Sequence, residues 1–432
     1  MIIKRSSIIS EGLRFKVIWI ERKPMSSPGK RFFSMTSFLK MLLFVAMAAA
    51  VAPMGTGYGA DEVRLPDDAT PGLVHLASLV GPENQNPFHP EQLAGLLRFV
   101  DAPKREDAVY SAAPMDGASS SYFDVDVRMS LDDLLKYTFN PRIHGSASVP
   151  ASLRTAAWKK SEKSGQGLPR IWELFDPNGT PVIIRGMETV ENTPDLSTGG
   201  YYRYTLFRTV ILFRSGERRV VISLARQAGP SDVGKKGYIL GKDEDWDYFY
   251  SGEPGLDVTG LGWVKSHMLE SLGVSIYIES APALPGVRVV NLKWLRAGWS
   301  GLNVVRSEHI HSGLKRFALT TKQILESPRL PAVATLEEAC RRISNLTEAQ
   351  LREKMQAYRS VLIARTERLN GGARKSLPES FWDDGWWARM TREEMESVLV
   401  LETFKAFLGR TPEVEVRNLV SLPAAQPSRQ GG

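Results

Sequence analysis

The stretch "YYRYTLFRTVILFRSGERRVVISLAR" (residues 201–226) sets the architecture expected of this chain. Its residues follow a period of two on both sides of Ser215-Gly216, which reads as a tight turn between two antiparallel strands. The same period runs through most of residues 168–296, in "RIWELFD", "PVIIRGMETV", "WDYFYS", "VSIYIES" and "VRVVNLKWLR". Consecutive strands with short connections and few helices between them predict an antiparallel sheet rather than a βαβ fold. In the last strand Val290, Leu292 and Trp294 share one face and are expected to line the core.

Upstream, "YFDVDVR" (122–128) alternates as a half-buried strand, and "SLDDLLKYTF" (130–139) follows as a helix with Ser130 at its N-cap. Downstream, the loop "AGWSGLN" leads into a long helix on which Ile310, Leu314, Phe317, Thr321 and Ile324 recur until Pro328 and Pro331 end it. The fold class is therefore α+β: an antiparallel β-sheet packed on a long helix within 121–327, followed by an all-helical region at 332–410. Thr335/Glu338, Thr347/Gln350 and Thr391/Glu394 read as capping boxes in that region, and "NGG" at 370–372 as a helix stop. Residues 60–120, rich in Pro, Asp and Ala, are expected to be loosely structured around one short helix, "PEQLAGLLRFV"; 411–432 reads as a flexible tail.

Strand, helix, a run of antiparallel strands and one long helix, in that order over 121–326, resembles the helix-grip arrangement of START-like lipid-binding domains. The resemblance rests on the order of elements. It implies a curved sheet wrapped about the C-terminal helix, with an apolar ligand cavity between them.

The formal charge of +7 invites a nucleic-acid reading, but its distribution argues otherwise. Residues 1–59 hold nine of the 55 Lys/Arg and two of the 48 Asp/Glu, so the remainder carries 46 of each sign and no cationic excess for a phosphate backbone. The basic segment reads as a leader: "KRFFSMTSFLK" is a cationic n-region, the twelve residues Met41–Ala52 an apolar h-region, and "PMGTGYGADE" a cleavage region. A bilayer span takes about 20 residues, so no membrane span is expected after cleavage. Residues 35–59 are thus taken as a signal peptide and the protein as periplasmic or secreted. Residues 1–34 look like an upstream extension, because Met25 and Met35 each begin a conventional leader. The sole cysteine, Cys340, allows no internal disulfide.

Few motifs carry chemistry. A P-loop, a Rossmann glycine fingerprint and H-E-x-x-H are absent, and His75, His89, His144 and His267 stand singly. In "GWSGLNVVRSEHIHSG" (298–313) Ser300 sits in a near match to a nucleophile elbow, with Leu302 where the second glycine belongs, and Glu308 and His311 share a helix face at i, i+3. Asp243, Asp245 and Asp247 alternate like the first ligands of a calcium loop, yet Tyr248 and Pro254 stand where that loop needs Gly and Glu. Ser300, Glu308 and His311 are the weak catalytic candidates; the three aspartates, Glu308 and His311 are the weak metal candidates.

The leading expectation is a non-catalytic protein without cofactor that holds a lipid-like, apolar or amphipathic ligand among Trp246, Tyr248, Tyr250, Trp263, Trp294 and Trp299. The alternatives are a metal- or serine-dependent cell-envelope hydrolase, and a scaffold that docks an envelope protein through its C-terminal helices and Trp382, Trp386 and Trp387. N-terminal sequencing is expected to start the exported protein at Ala60 or Asp61; a precursor with residues ahead of Met25 would overturn the later start.

Overall fold

The computed structural model describes residues 61–82, 86–161, 167–258, 262–280, 286–368, 377–416 and 419; the leader, the glycine stop at 370–372 and residues 420–432 lie outside them. Fourteen strands are described: β1 (Glu62–Arg64), β2 (Val109–Ser111), β3 (Ser119–Val127), β4 (Leu153–Ser161), β5 (Val182–Asn192), β6 (Gly200–Tyr201), β7 (Arg203–Ser215), β8 (Arg218–Gln227), β9 (Lys235–Ile239), β10 (Tyr248–Pro254), β11 (Leu256–Val258), β12 (Gly262–Val264), β13 (His267–Glu279) and β14 (Val287–Gly298). Nine of them form one sheet in the order β1-β2-β3-β14-β13-β8-β7-β5-β4, antiparallel throughout except for β1 with β2. The order places β3 beside β14, in register from Val127 opposite Val287 to Ser119 opposite Leu295. β6, β9 and β10 make a second, three-stranded sheet.

Alternation gives the large sheet two faces. One is covered by α1 (Thr70–Ser78) and α2 (Ala94–Asp101), whose Leu73, Leu76, Leu96 and Val100 join Ile222, Ile276, Val290, Leu292 and Trp294 in one core. The described residues between 61 and 120 are therefore an integral layer rather than a loose segment. Pro71 occupies the start of α1, where its missing N–H costs nothing. Gly95 lies so close to the carbonyl of Asp68 that a Cβ there would come within 1.9 Å of it, so residues that read as breakers permit tight packing.

The other face is covered near one end by α3 (Leu131–Thr138), capped by Ser130, which accepts from the Asp133 N–H at 3.2 Å. The "RIWELFD" stretch, expected as a strand, is a 3-10 turn and loop. Pro169 and Pro177 bracket it, and Leu168, Ile171 and Leu174 pack beside α3 instead of pairing. A four-residue helix, α4 (Gly145–Ser148), leads to β4. The long helix, α5 (Ser307–Leu325), runs along β3 on this face: Val305 at its approach accepts from Ser119, His311 meets Phe123, and Glu326 just beyond it pairs with Arg128.

The C-terminal helices are α6 (Val333–Ser344), α7 (Glu348–Arg368), α8 (Glu379–Trp382), α9 (Asp384–Ala388) and α10 (Arg392–Phe407). The boxes at Thr347/Gln350 and Thr391/Glu394 form, but α6 starts at Val333, ahead of Thr335. The segment from Thr411 packs as far as it is described, with Val414, Val416 and Leu419 buried among the helices.

Charged groups fasten this region inside the fold. The Lys405 ammonium, 3% exposed, is shared by Asp247 beside β10 and by Glu402 at 2.7 Å, and Arg365 closes on Asp247 at 2.6 Å. Burial opposes the Lys405 charge, but the carboxylates of Glu402 and Asp247 outweigh it and hold its pKa above the ordinary lysine value. Arg154 of β4, also buried, spans Glu191 at 2.6 Å and Glu394 of α10 at 3.0 Å. Removing one member of such a set leaves a buried charge uncompensated. Lys405→Met is expected to cost about 3–5 kcal/mol in denaturant unfolding. The wild-type contribution is present below the ordinary lysine pKa and is lost as pH rises through the raised one, so the gap between the two proteins should close at alkaline pH.

Candidate functional site

Two rows of side chains cross the α5 side of the sheet. In register over five strands, Ser121 (β3), Lys293 (β14), Gly273 (β13), Ala225 (β8) and Arg208 (β7) make one row. Beside it, nearer α3, run Phe123, Asn291, Ser275, Ser223 and Val210. By alternation both rows share the face of Val289, Tyr277, Val221 and Leu212, which pack under α3.

Central strands covered on this side would ordinarily be buried, yet Lys293, Gly273, Ala225, Arg208 and Ser275 all keep partial exposure. They form a partly exposed band across the middle of the sheet, a shallow furrow where Gly273 and Ala225 carry little or no side chain. Gly273 deepens it, since a Cβ at that position would meet nothing nearer than Ala225 at 3.9 Å. Over the furrow's β3 side lies the sheet-facing stripe of α5, with Ile310, Ala318 and Thr321 buried and Leu314 and Phe317 half-buried. The roof is mainly apolar and the floor polar.

The floor groups are unevenly satisfied. Arg208 donates to Ser223 Oγ at 2.9 Å, faces Glu188 at 3.4 Å and lies 5.9 Å from the Trp158 ring. Asn291, 4% exposed, accepts from Ser275 Oγ at 2.9 Å through Oδ1, while its Nδ2 has no hydrogen-bond partner among the described residues. Lys293 forms no ion pair or hydrogen bond among the described residues, and burial alone pushes its pKa below the ordinary lysine value. On the same face of β7, burial lifts the Tyr204 phenol to about 12, with Glu188 adding to the shift, so it stays a donor at neutral pH. On α5, Thr321 Oγ1 and His311 Nδ1 are buried and also lack partners; the His311 ring stands edge-on to Phe123 at 5.4 Å, and burial lowers its pKa. Among the described residues, the donors without a partner on the floor are thus the Asn291 amide and the Lys293 ammonium.

The residues expected to form sites from sequence are not brought together. Ser300 is exposed in a left-handed turn position with φ 52°, followed by Gly301 at φ 78°. Glu308 is exposed, and no hydrogen bond or ion pair joins it to Ser300 or His311 among the described residues. Asp243, Asp245 and Asp247 do separate jobs: Asp243 takes the Arg316 guanidinium, Asp245 accepts from the Lys242 N–H at 3.2 Å, and Asp247 anchors Lys405. Residues 243–245 form a 3-10 turn and Trp246 is left-handed (φ 59°), so the alternating register begins only at β10. Among the described residues no group of three or more His, Cys, Asp or Glu gathers to hold a metal.

Of the six aromatics proposed as ligand contacts, Trp246, Tyr248 and Tyr250 come together in the helical core, where they line one small cavity beside Arg154 and Tyr358, while Trp263 is 53% exposed and Trp299 lies in the turn after β14. Trp294 faces α1 and α2, with its Nε1 donating to the Ala113 carbonyl at 2.9 Å. Trp386 donates to Ser251 of β10 at 2.8 Å and Trp387 to Phe381 at 3.0 Å, both packed on Phe249; with Trp382 half-buried, the three plug the helical region onto the small sheet.

Sequence reading passed over Asn291 and Lys293, although they stand in "VRVVNLKWLR". The signal was the face opposite Val290, Leu292 and Trp294, which turns from valine to Asn and Lys midway along the strand. No protein-family model matches the chain, and no curated protein matches it in sequence.

An unpartnered ammonium in such a place opposes folding. Lys293→Met is therefore expected to raise the thermal midpoint by a few degrees at neutral pH, on the order of 1 kcal/mol. The gain should shrink as pH rises from the depressed lysine pKa toward the ordinary one, because the wild-type amine then sheds its proton on folding. Thermal melts across that range check both the sign and the trend.

Proposed function

We propose that this is an exported, non-catalytic binding protein that holds an amphipathic small molecule between its sheet and α5, in the manner of helix-grip domains. One observation carries the reading: a partly exposed furrow over Gly273 in the middle of the sheet, where a Cβ would meet nothing nearer than Ala225 at 3.9 Å. The adjacency of β3 and β14, with α5 laid along β3, supports the helix-grip part of the proposal. The apolar stripe of α5 opposite a floor of Lys293, Asn291, Ser275 and Arg208 supports an amphipathic ligand rather than a purely apolar one. The leader-like segment at 35–59 supports export to the periplasm or beyond. A catalytic role draws no such support, because the candidate nucleophile, acid and histidine do not meet.

Filling the furrow tests the reading. Gly273→Leu is expected to leave the far-UV spectrum unchanged and to weaken binding of the uncharged fluorophore N-phenylnaphthylamine by about tenfold or more. Wild-type protein that fails to enhance the probe's fluorescence, or a folded variant that binds it equally well, would overturn the proposal.

A further inference from the structure

We infer that the furrow selects ligands with a carboxylate head group, held by the Lys293 ammonium and the Asn291 amide; this rests on the furrow being a binding site. Asn291 and Lys293 stand two residues apart on one face of β14, so their Cα atoms are about 6.5 Å apart and both side chains rise from the same side of the sheet. Each supplies a donor with no partner among the described residues: Nδ2 of a side chain 4% exposed, and an ammonium without a carboxylate. Ser275 fixes the amide by donating to its Oδ1, which leaves the NH₂ group facing away from that bond.

Charge sets the class of head group. The other floor cation, Arg208, is already met by Glu188 at 3.4 Å. Lys293 therefore leaves one uncompensated positive charge, which a monoanion neutralises and a dianionic phosphate would overshoot. A carboxylate offers two oxygens, one for each donor, and charge-assisted hydrogen bonds are the stronger kind. Gly273 and Ala225, next to Lys293 in its row, leave room for the head, and the α5 stripe with Leu314 and Phe317 receives the apolar body.

The test compares a long-chain fatty acid with the primary alcohol of the same length, each displacing N-phenylnaphthylamine from the mature protein. Wild type is expected to bind the acid at least about tenfold more tightly than the alcohol. Lys293→Met should lose that preference while keeping its affinity for the alcohol, and Lys293→Arg should restore most of it. Equal affinity of wild type for acid and alcohol, or a preference that survives in Lys293→Met, would overturn the head-group assignment and leave the binding site standing. Failure of wild type to bind either compound or the fluorophore would overturn both.

Discussion

The pairing of β3 with β14 is the constraint on which the rest depends. It closes the run β14-β13-β8-β7-β5-β4 with the strand that precedes them all in sequence, and so gives α5 a bed to lie on. Without β3 the helix would leave β14 over an open edge, and His311, Lys322 and Glu326 would lose Phe123, the Asp126 carbonyl and Arg128. The furrow exists because α3 buries one end of this face and α5 one side, while neither reaches the glycine and alanine in its middle. An antiparallel sheet can keep one face apolar and admit polar residues on the other. Here both kinds occur on one face, and the transition between them marks the furrow.

The C-terminal helices depend on a different physics. Their core is apolar, with Phe381, Met395, Leu399 and Phe404 fully buried, but their seams with the strands are ionic. Lys405 with Asp247 and Arg154 with Glu394 tie α10 to β10 and β4, and Arg316 of α5 meets Asp243 in the same neighbourhood. Buried ion pairs add little net stability over apolar packing, since desolvation offsets most of the attraction. They do penalise displaced arrangements heavily, because a shifted helix would leave several charges unpaired at once.

Much of the architecture was legible in the sequence, because a period of two recurring in one run after another between Val182 and Gly298 calls for an antiparallel sheet. The long helix was equally plain from Ile310 to Ile324. Residues 61–120 were misread because α1 begins with Thr-Pro-Gly, residues that signal a turn unless their role at a helix start and in close packing is known. The candidate site was legible only in part. Ser300, Glu308, His311 and the aspartates drew attention as reactive types at suggestive spacings, and spacing along the chain says little about convergence in space. Asn291 and Lys293 drew none, since a lysine in a strand is commonplace. Their meaning depends on three neighbours in the sheet: Gly273, Ser275 and Ser121. Pairing across strands supplies that information, and a single strand does not contain it.

The register of β3 against β14 also dictates when the protein can fold. It joins residues roughly 160 to 176 positions apart, so the contact order is high and loop closure precedes any reward from the pairing. During synthesis β3 has no place in the sheet until β14 has been made, and α1 and α2 wait with it, because their apolar faces rest on β8, β13 and β14. α5 comes later still. The floor of the furrow thus draws on strands separated by most of the chain, and its roof on the helix that follows the last of them.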